Sequence, residues 1–402
     1  MFVRRRTVPA FPSDPRPSPL AAHALVVGAG PAGVAAAQAL SRHVERVTIV
    51  ERDDLPERPS GHVGVPLDPH AHLLRPADLA ALERLVPGFR SELVAAGAVA
   101  LRVPRGRRPA GGGEVLLSAS GELVTCALRR RVFDSPQVLV REGLDVRGLA
   151  VDRGRVRGVE VRPRRAGEGG PTATIDADLV VDAGGRRSPA TRWLVAAGLA
   201  APAETVLDAG PAQASRLYRR APGDAAAWGA AVVRPRPCGA VLAPVEDGRW
   251  LLTIVHAAGA VPVDDDGFAA FASSTGSPAV AGVLARAEAL GPVVAFPPRQ
   301  QRWRHHEAPA AAIDGFLAVG DALVAVEPPP GAGVAMVVQP ADALDRAVAA
   351  HLARHRHLDG LSGGAQRAVA GAAGAFWRPS AGGPRDAGAA QMPRRCASSS
   401  RW

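Results

Sequence analysis

The stretch "HALVVGAGPAGVAAAQALSRHVERVTIVERDD", His23 to Asp54, decides the fold class. Its apolar run from Ala24 to Val27 reads as a strand, and a Gly28-x-Gly30-x-x-Gly33 turn follows at once. An Ala-rich helix, a second strand "RVTIV" and then Glu51 complete the unit. Gly28 permits the tight turn, Gly30 lets a pyrophosphate approach the backbone, and Gly33 lets the helix pack on the sheet. Pro31 and Ala32 open the helix, whose unpaired N–H groups face the phosphates. Glu51, about twenty residues on, can accept hydrogen bonds from an adenosine ribose, with Arg52 beside it. Glycines alone would also mark an ordinary turn, but this order of strand, turn, helix, strand and acid reads as a dinucleotide site. It does not separate NAD from FAD.

At 402 residues the chain is long enough for two domains, or for one large α/β domain with an inserted lobe. The net charge of +10 suggests a nucleic-acid binder, yet the chain contains no Lys, so every basic side chain bar His is Arg. The arginines are scattered in twos and threes rather than gathered in an aromatic-interleaved stripe, which argues against nucleic acid as a partner. The absence of Lys also excludes a Schiff-base lysine and a Walker-type phosphate loop. Cys126, Cys238 and Cys396 have no metal-binding spacing, so a reduced, cytoplasmic protein without structural zinc is expected. Residues 1–22, rich in Arg and Pro, read as a disordered arm, and no run reaches membrane-spanning length, so no stable membrane insertion is expected.

Two later segments add to the first. "IDADLVVDAGGRRSPATRWL", from Ile175, reads as a strand ending at Asp182 and a glycine turn. "DGFLAVGDALVAVEPPPGAGVAM", from Asp314, reads as a strand, then Gly320-Asp321, a proline turn, Gly331-Ala332-Gly333 and a helix. A carboxylate at a strand's C-terminal end can accept from hydroxyls of an extended ligand, and a helix beginning at Gly333 would aim its dipole at that ligand.

With these motifs in this order, the chain resembles the FAD-dependent monooxygenases of the para-hydroxybenzoate-hydroxylase type. "GVPLDPHAHLLRPADLAALERLVPGF", "ETVLDAGPAQASRLYRR" and "FWRPSAGG" are similar to segments of actinobacterial flavin epoxidases and their oxidoreductase relatives. The resemblance implies FAD as cofactor, Asp321 on the ribityl chain, and Asp182 to Arg186 near the pyrophosphate and the handling of NAD(P)H. It places Pro328, Gly331, Ala332 and Gly333 against the flavin ring. It implies an NAD(P)H- and O2-dependent epoxidation or hydroxylation of a small apolar substrate, in secondary metabolism. A flavin-dependent prenyl or polyene double-bond reductase, or a non-catalytic FAD-binding relative, shares these features. The "WxWxIP" segment of flavin halogenases is missing. No catalytic side chain and no oligomeric state can be named.

The expected fold is α/β: a discontinuous Rossmann-like FAD-binding domain of glutathione-reductase type, with an inserted, mostly antiparallel β-sheet substrate domain. Residues 23–200 and 300–350 form the first and 201–299 the second, with a hairpin around Glu246-Asp247-Gly248. Residues 341–358 read as a helix, and the tail from Leu361 as partly ordered. His70 and His72 have no third metal ligand at a recognisable spacing and are candidates to line a substrate pocket. Arg216 and Tyr218, alternating on one strand, are further pocket candidates. His305, His306 and Glu327 are expected to face solvent. Departures from the family pattern are Gly121 where an FAD-contacting Arg is usual, Leu67-Asp68-Pro69 before the histidines, and Glu327 where the flavin loop usually has Asn.

Overall fold

The computed structural model describes residues 20–56, 70–103, 114–167, 169–221, 230–233, 237–257, 259–296, 299–327 and 332–380. The chain opens with β1 (Leu20–Val27), α1 (Pro31–Ser41) and β2 (Val44–Val50), so the first strand takes the last three residues of the expected arm. Next come β3 (Ala71–Leu74), α2 (Pro76–Leu85), α3 (Phe89–Ala95), β4 (Val99–Val103), β5 (Glu114–Ser120), α4 (Gly121–Phe133) and β6 (Val138–Arg141). An antiparallel meander, β7 (Leu144–Asp152), β8 (Arg155–Pro163) and β9 (Ala173–Asp176), leads to β10 (Leu179–Asp182) and α5 (Ala190–Ala196).

The middle of the chain holds β11 (Glu204–Ala209), β12 (Ala212–Arg219), β13 (Ala231–Val233), β14 (Cys238–Val245) and β15 (Arg249–His256). It continues through α6 (Asp265–Ser273), α7 (Pro278–Arg286), β16 (Ala289–Phe296) and β17 (Gln300–Arg304). The chain returns through β18 (Phe316–Ala318), β19 (Val324–Ala325), α8 (Gly333–His355) and α9 (Leu361–Ser380).

A five-stranded parallel sheet, ordered β18-β10-β1-β2-β6, forms the first half of the fold. Its central strands are apolar on both faces and covered on both, with α1 packed on β1 and β2 and the β7–β9 meander on β10 and β2: Ala24, Leu25 and Val26 are fully buried. The order of strands reverses between β1 and β10, which opens a crevice at their C-terminal ends. A second five-stranded sheet, β13-β14-β15-β12-β16, is antiparallel and forms the lobe. Asp247 (φ 58°) and Gly248 (φ 64°) make the β14–β15 turn, matching a type I′ hairpin.

Side chains of the lobe sheet sort by the period of two. Tyr218, Trp250, Leu252 and Ile254 pack with Phe268 of α6 and Val280 of α7, whereas Leu217, Val241 and Leu251 meet Leu73 of β3. β11 pairs with β17, beside β19, and stays outside the lobe sheet. At the hairpin tip, Glu246 is buried and its carboxylate accepts from the amide and hydroxyl of Ser120 at 3.1 and 2.5 Å. Ser120 is the N-cap of α4, accepting from the Leu123 amide, so the lobe is fastened to a helix start.

Three expectations change. Residues 333–355 form one helix with Pro340 inside it, starting earlier than the expected 341–358. Residues 361–380 form a helix, α9, which buries Leu361, Ala365, Val369 and Ala370 in the main core, while the rest of the tail lies outside the described residues. Glycine and alanine allow that close packing, and Trp377 meets Trp303 edge-on at 5.7 Å. His306 is 2% exposed, tilted against Phe316, and neither ring nitrogen has a hydrogen-bond partner among the described residues.

Burial, aided by the charge of Arg304, pushes His306 down to about 4. The unfolded chain, with an ordinary value of 6.5, therefore binds this proton more readily than the native one. The stability it contributes is complete above pH 6.5 and is lost as pH falls toward 4. In urea melts at pH 7, 6 and 5, His306→Phe should flatten the decline by up to about 1.4 kcal/mol per pH unit. An unchanged slope would show that His306 takes up its proton without unfolding.

Candidate functional site

The C-terminal ends of β1, β10 and β18 bring three turns together. In the first, Gly28 has φ +102°, and a Cβ there would lie 2.7 Å from the carbonyl oxygen of Ala183 in the second. A Cβ on Gly33 would lie 2.0 Å from the Gly28 carbonyl oxygen, so helix and turn touch backbone to backbone. A Cβ on Gly320 (φ +57°) would come 2.5 Å from Cβ of Ala32, which seats the third turn on the start of α1. Gly30 differs: it has φ −66°, and a Cβ there would meet nothing within 4 Å. It is the N-cap of α1, no side chain caps that helix, and Pro31 occupies its first turn. An uncapped helix start with open space over its N-cap is a place for an anion.

Glu51 follows β2 and is buried, with one oxygen accepting from the Ala29 amide at 2.7 Å and the other from the Asp53 amide at 3.0 Å. It therefore braces the glycine turn, while each oxygen keeps a lone pair for a further donor. Arg52 sits at the exposed rim, paired with Asp53 at 3.2 Å. A small apolar crevice runs between α1 and α8, lined among others by Ala32, Gly320, Met336 and Pro340. Ala332 caps the start of α8 with no side-chain bond, and the first turn from Gly333 carries no acid. Pro328 and Gly331 lie outside the described residues.

Asp182 is turned inward. Its carboxylate accepts from the Ser188 hydroxyl at 2.6 Å and the Gly184 amide at 2.9 Å, and burial raises its pKa. It shapes the turn whose carbonyl at Ala183 meets Gly28. Arg186 leaves that turn and donates to the Gln300 carbonyl at 2.7 Å and the Glu327 carboxylate at 3.1 Å, with Asp321 at 3.7 Å. Arg304 donates to the Ala322 carbonyl at 3.0 Å and the Arg186 carbonyl at 3.2 Å. Two arginines thus lock the second and third turns together.

Glu327 does not face solvent as expected: its side chain is 11% exposed, because Arg186 offers an ion pair that water access would weaken. Burial raises the pKa of both Asp321 and Glu327, and Arg186 opposes the rise in each.

The four pocket candidates do not converge. His70 is buried, its Nδ1 lies 2.8 Å from the Ser215 hydroxyl, and Ser215 is 2.7 Å from the Thr253 hydroxyl. Burial pushes His70 down to about 3, so it is neutral. His72 sits on β3 opposite Ala119, on the side of Leu74 and the main core. Arg216 and Tyr218 share a face, but it is the one under α6, where Arg216 pairs with Asp265 at 2.9 Å and approaches the Tyr218 ring. Alternation along β12 sends Ser215 toward His70 and its neighbours Ala214 and Arg216 away. Ser215, Thr253, Arg304 and Gln213 carry no motif in the sequence: Thr253 stands in the apolar strand RWLLTIVH, and Arg304 in the polar strand QQRWR.

Comparisons with known proteins fit this geometry. Residues 26–78 match the NAD(P)-binding Rossmann-like domain family. The flavin-dependent brominase Bmp2 superposes with a TM-score of 0.60 at 15% identity, covering 84% of this chain and 81% of its own. The p-nitrophenol 4-monooxygenase PnpA from Pseudomonas putida DLL-E4 gives a TM-score of 0.55 at 18% identity, over 86% and 84%. These likenesses establish the fold: an α/β protein with a Rossmann-like domain and additional antiparallel sheets. Protein Rv3254 of Mycobacterium tuberculosis is 32% identical over 355 residues, spanning 82% of this chain and 73% of that protein. The chain belongs to the family of Rv3254.

Proposed function

We propose that this chain is an FAD-dependent oxidoreductase, a monooxygenase that uses NAD(P)H and O2 to epoxidise or hydroxylate an apolar small molecule. The observation that carries the reading is the meeting of three turns, Gly28–Gly33, Asp182–Ser188 and Gly320–Asp321, at the reversal point of the parallel sheet. The solved structures of similar fold, a brominase named as flavin-dependent and a p-nitrophenol monooxygenase, support it.

The residues fit the cofactor. The uncapped start of α1 and the open space over Gly30 suit a pyrophosphate, and Glu51 suits an adenosine ribose. Asp321, 30% exposed, suits ribityl hydroxyls. When bound, FAD supplies hydride acceptance and oxygen activation. The chain orients it, aims the α8 dipole from Ala332 and Gly333 toward developing negative charge, and roofs the crevice with the lobe. A cytoplasmic setting, where NAD(P)H is supplied, belongs to the same reading. A second reading, flavin binding without turnover, is favoured by the Glu327 carboxylate held beside Asp321, which opposes negative charge on a reduced ring.

Flavin absorbance of the purified protein, followed by NAD(P)H oxidation in air with polyenes or aromatics, tests the proposal. Product mass distinguishes oxygen insertion from double-bond reduction, and a protein that takes up no FAD overturns the reading.

The glycines give a sharper check. Gly33→Ala, which forces a Cβ onto the Gly28 carbonyl, should cost about 1–3 kcal/mol of stability. Gly30→Val should leave thermal unfolding within a few degrees of wild type yet weaken FAD binding about tenfold or more. Equal FAD affinity in Gly30→Val would remove the pyrophosphate from α1. Glu327→Gln should raise the midpoint potential of bound flavin by on the order of 30 mV, about 1.4 kcal/mol for two electrons. An unchanged potential would place Glu327 away from the ring.

A further inference from the structure

The lobe-sheet face that meets β3 carries a buried polar set unused by the dinucleotide crevice. Gln213 of β12 is 3% exposed, and its Nε2 has no hydrogen-bond partner among the described residues. In the ladders it stands opposite Val255 of β15 and Phe296 of β16. Two residues on, Ser215 shares its face and bonds Thr253 and His70. The His70 ring lies 4.4 Å from the Phe296 ring, so Phe296 adjoins both Gln213 and His70.

These observations have one chemical consequence. Ser215 and Thr253 satisfy each other and His70, which leaves the Gln213 amide, on this sheet, unmatched among the described residues. Across from it the buried Ser118 hydroxyl of β5, opposite Leu73, is unmatched among them too. A buried N–H without an acceptor costs about 1–3 kcal/mol, so natural proteins keep one where a ligand or water supplies the acceptor. The described neighbours on this face are apolar and uncharged: Leu217, Val241, Leu251 and Val255. His70 stays neutral to about pH 3. The charges near Gly210 are already engaged: Arg186 pairs with Glu327 at 3.1 Å, and Arg299, whose carbonyl accepts from the Gly210 amide, acts on Glu327 and Asp321. Among the described residues no cation stands on the Gln213 face itself, so a carboxylate held there would be buried unpaired, at a cost of several kcal/mol.

We infer that this face recognises an uncharged, largely apolar molecule through an oxygen acceptor, such as a ketone or quinone carbonyl, with Gln213 donating the hydrogen bond. The inference rests on the flavin reading for the reaction that follows, but not for the binding itself.

The test is equilibrium dialysis of the full-length protein, loaded with FAD, against three probes of similar size: 2-acetylnaphthalene, 2-ethylnaphthalene and 2-naphthoate. The ketone should bind about tenfold tighter than the hydrocarbon and about a hundredfold tighter than the carboxylate. Gln213→Met, close to Gln in volume, should reduce the ketone to the level of the hydrocarbon while thermal unfolding and FAD uptake stay unchanged. If Gln213→Met does not fold, Gln213→Leu replaces it with the same expectation. Equal binding of ketone and hydrocarbon, a preference for the carboxylate, or no binding of any probe overturns the inference. So does a ketone preference that survives loss of Gln213. FAD uptake is read separately by absorbance. A protein that takes no flavin yet keeps the ketone preference overturns the flavin reading alone.

Discussion

Everything in this protein's nucleotide crevice depends on one constraint, the approach of backbone to backbone where α1 leaves β1. The carbonyl of Gly28 lies where a side chain on Gly33 would begin, and the carbonyl of Ala183 lies where one on Gly28 would begin. The helix can reach the sheet this closely only because both positions lack a Cβ. Its closeness in turn fixes Ala32 against Gly320, so the third turn takes its place from the first. Glu51 finishes the arrangement by accepting the Ala29 amide, which the tight turn would otherwise strand. Glu51 thus has a role in the turn before any ligand is considered.

The turns are then held to one another by arginine. Arg304 reaches the carbonyls of Ala322 and Arg186 and the carboxylate of Glu204, while Arg186 spans Gln300 and Glu327. A planar guanidinium with five donors can serve several acceptors in fixed directions, as a lysine ammonium cannot. A chain with no lysine can therefore turn part of its charge inward as structural cross-links. Its charge of +10 is in this sense a poor guide to partners: several of its arginines are already occupied by the protein's own carbonyls and carboxylates.

What could be read from the sequence follows the same division. The glycine turn, the acid after β2, the Gly-Asp turn and the β14–β15 hairpin depend on local conformation, and local conformation leaves a mark in a few residues. The parallel order of strands follows from their alternation with helices. Choices made by distant side chains leave no such mark. Glu327 was expected outside because a carboxylate alone prefers water, and Arg186, 141 residues away in sequence, opposes that preference together with Arg299. His306 was expected outside for the same reason, and packing against Phe316 took it in. The alternation of Arg216 and Tyr218 was legible, but which face of β12 would meet β3 was not, because that depends on the placement of α6 and α7. The helix from Leu361 was hidden by its glycines, which in isolation weaken a helix and here admit close packing, as at Gly374, where a Cβ would lie 2.6 Å from the Trp303 ring.

The fastening of the lobe gives these parts a common purpose. Glu246 at the hairpin tip is bound by Ser120, whose own hydroxyl caps α4, and Arg249 closes the same carboxylate at 3.0 Å. Glu246 is buried and fully engaged, so shifting the hairpin would strip its carboxylate of the amide, hydroxyl and guanidinium that replace water. That cost resists sliding of the lobe over β3 and keeps Ser215, Thr253 and Gln213 in register with His70. A surface that reads a ligand through a single amide donor needs such rigidity, because hydrogen-bond strength falls away within a few tenths of an ångström. The carboxylate at one end of the sheet therefore sets the precision of recognition at the other.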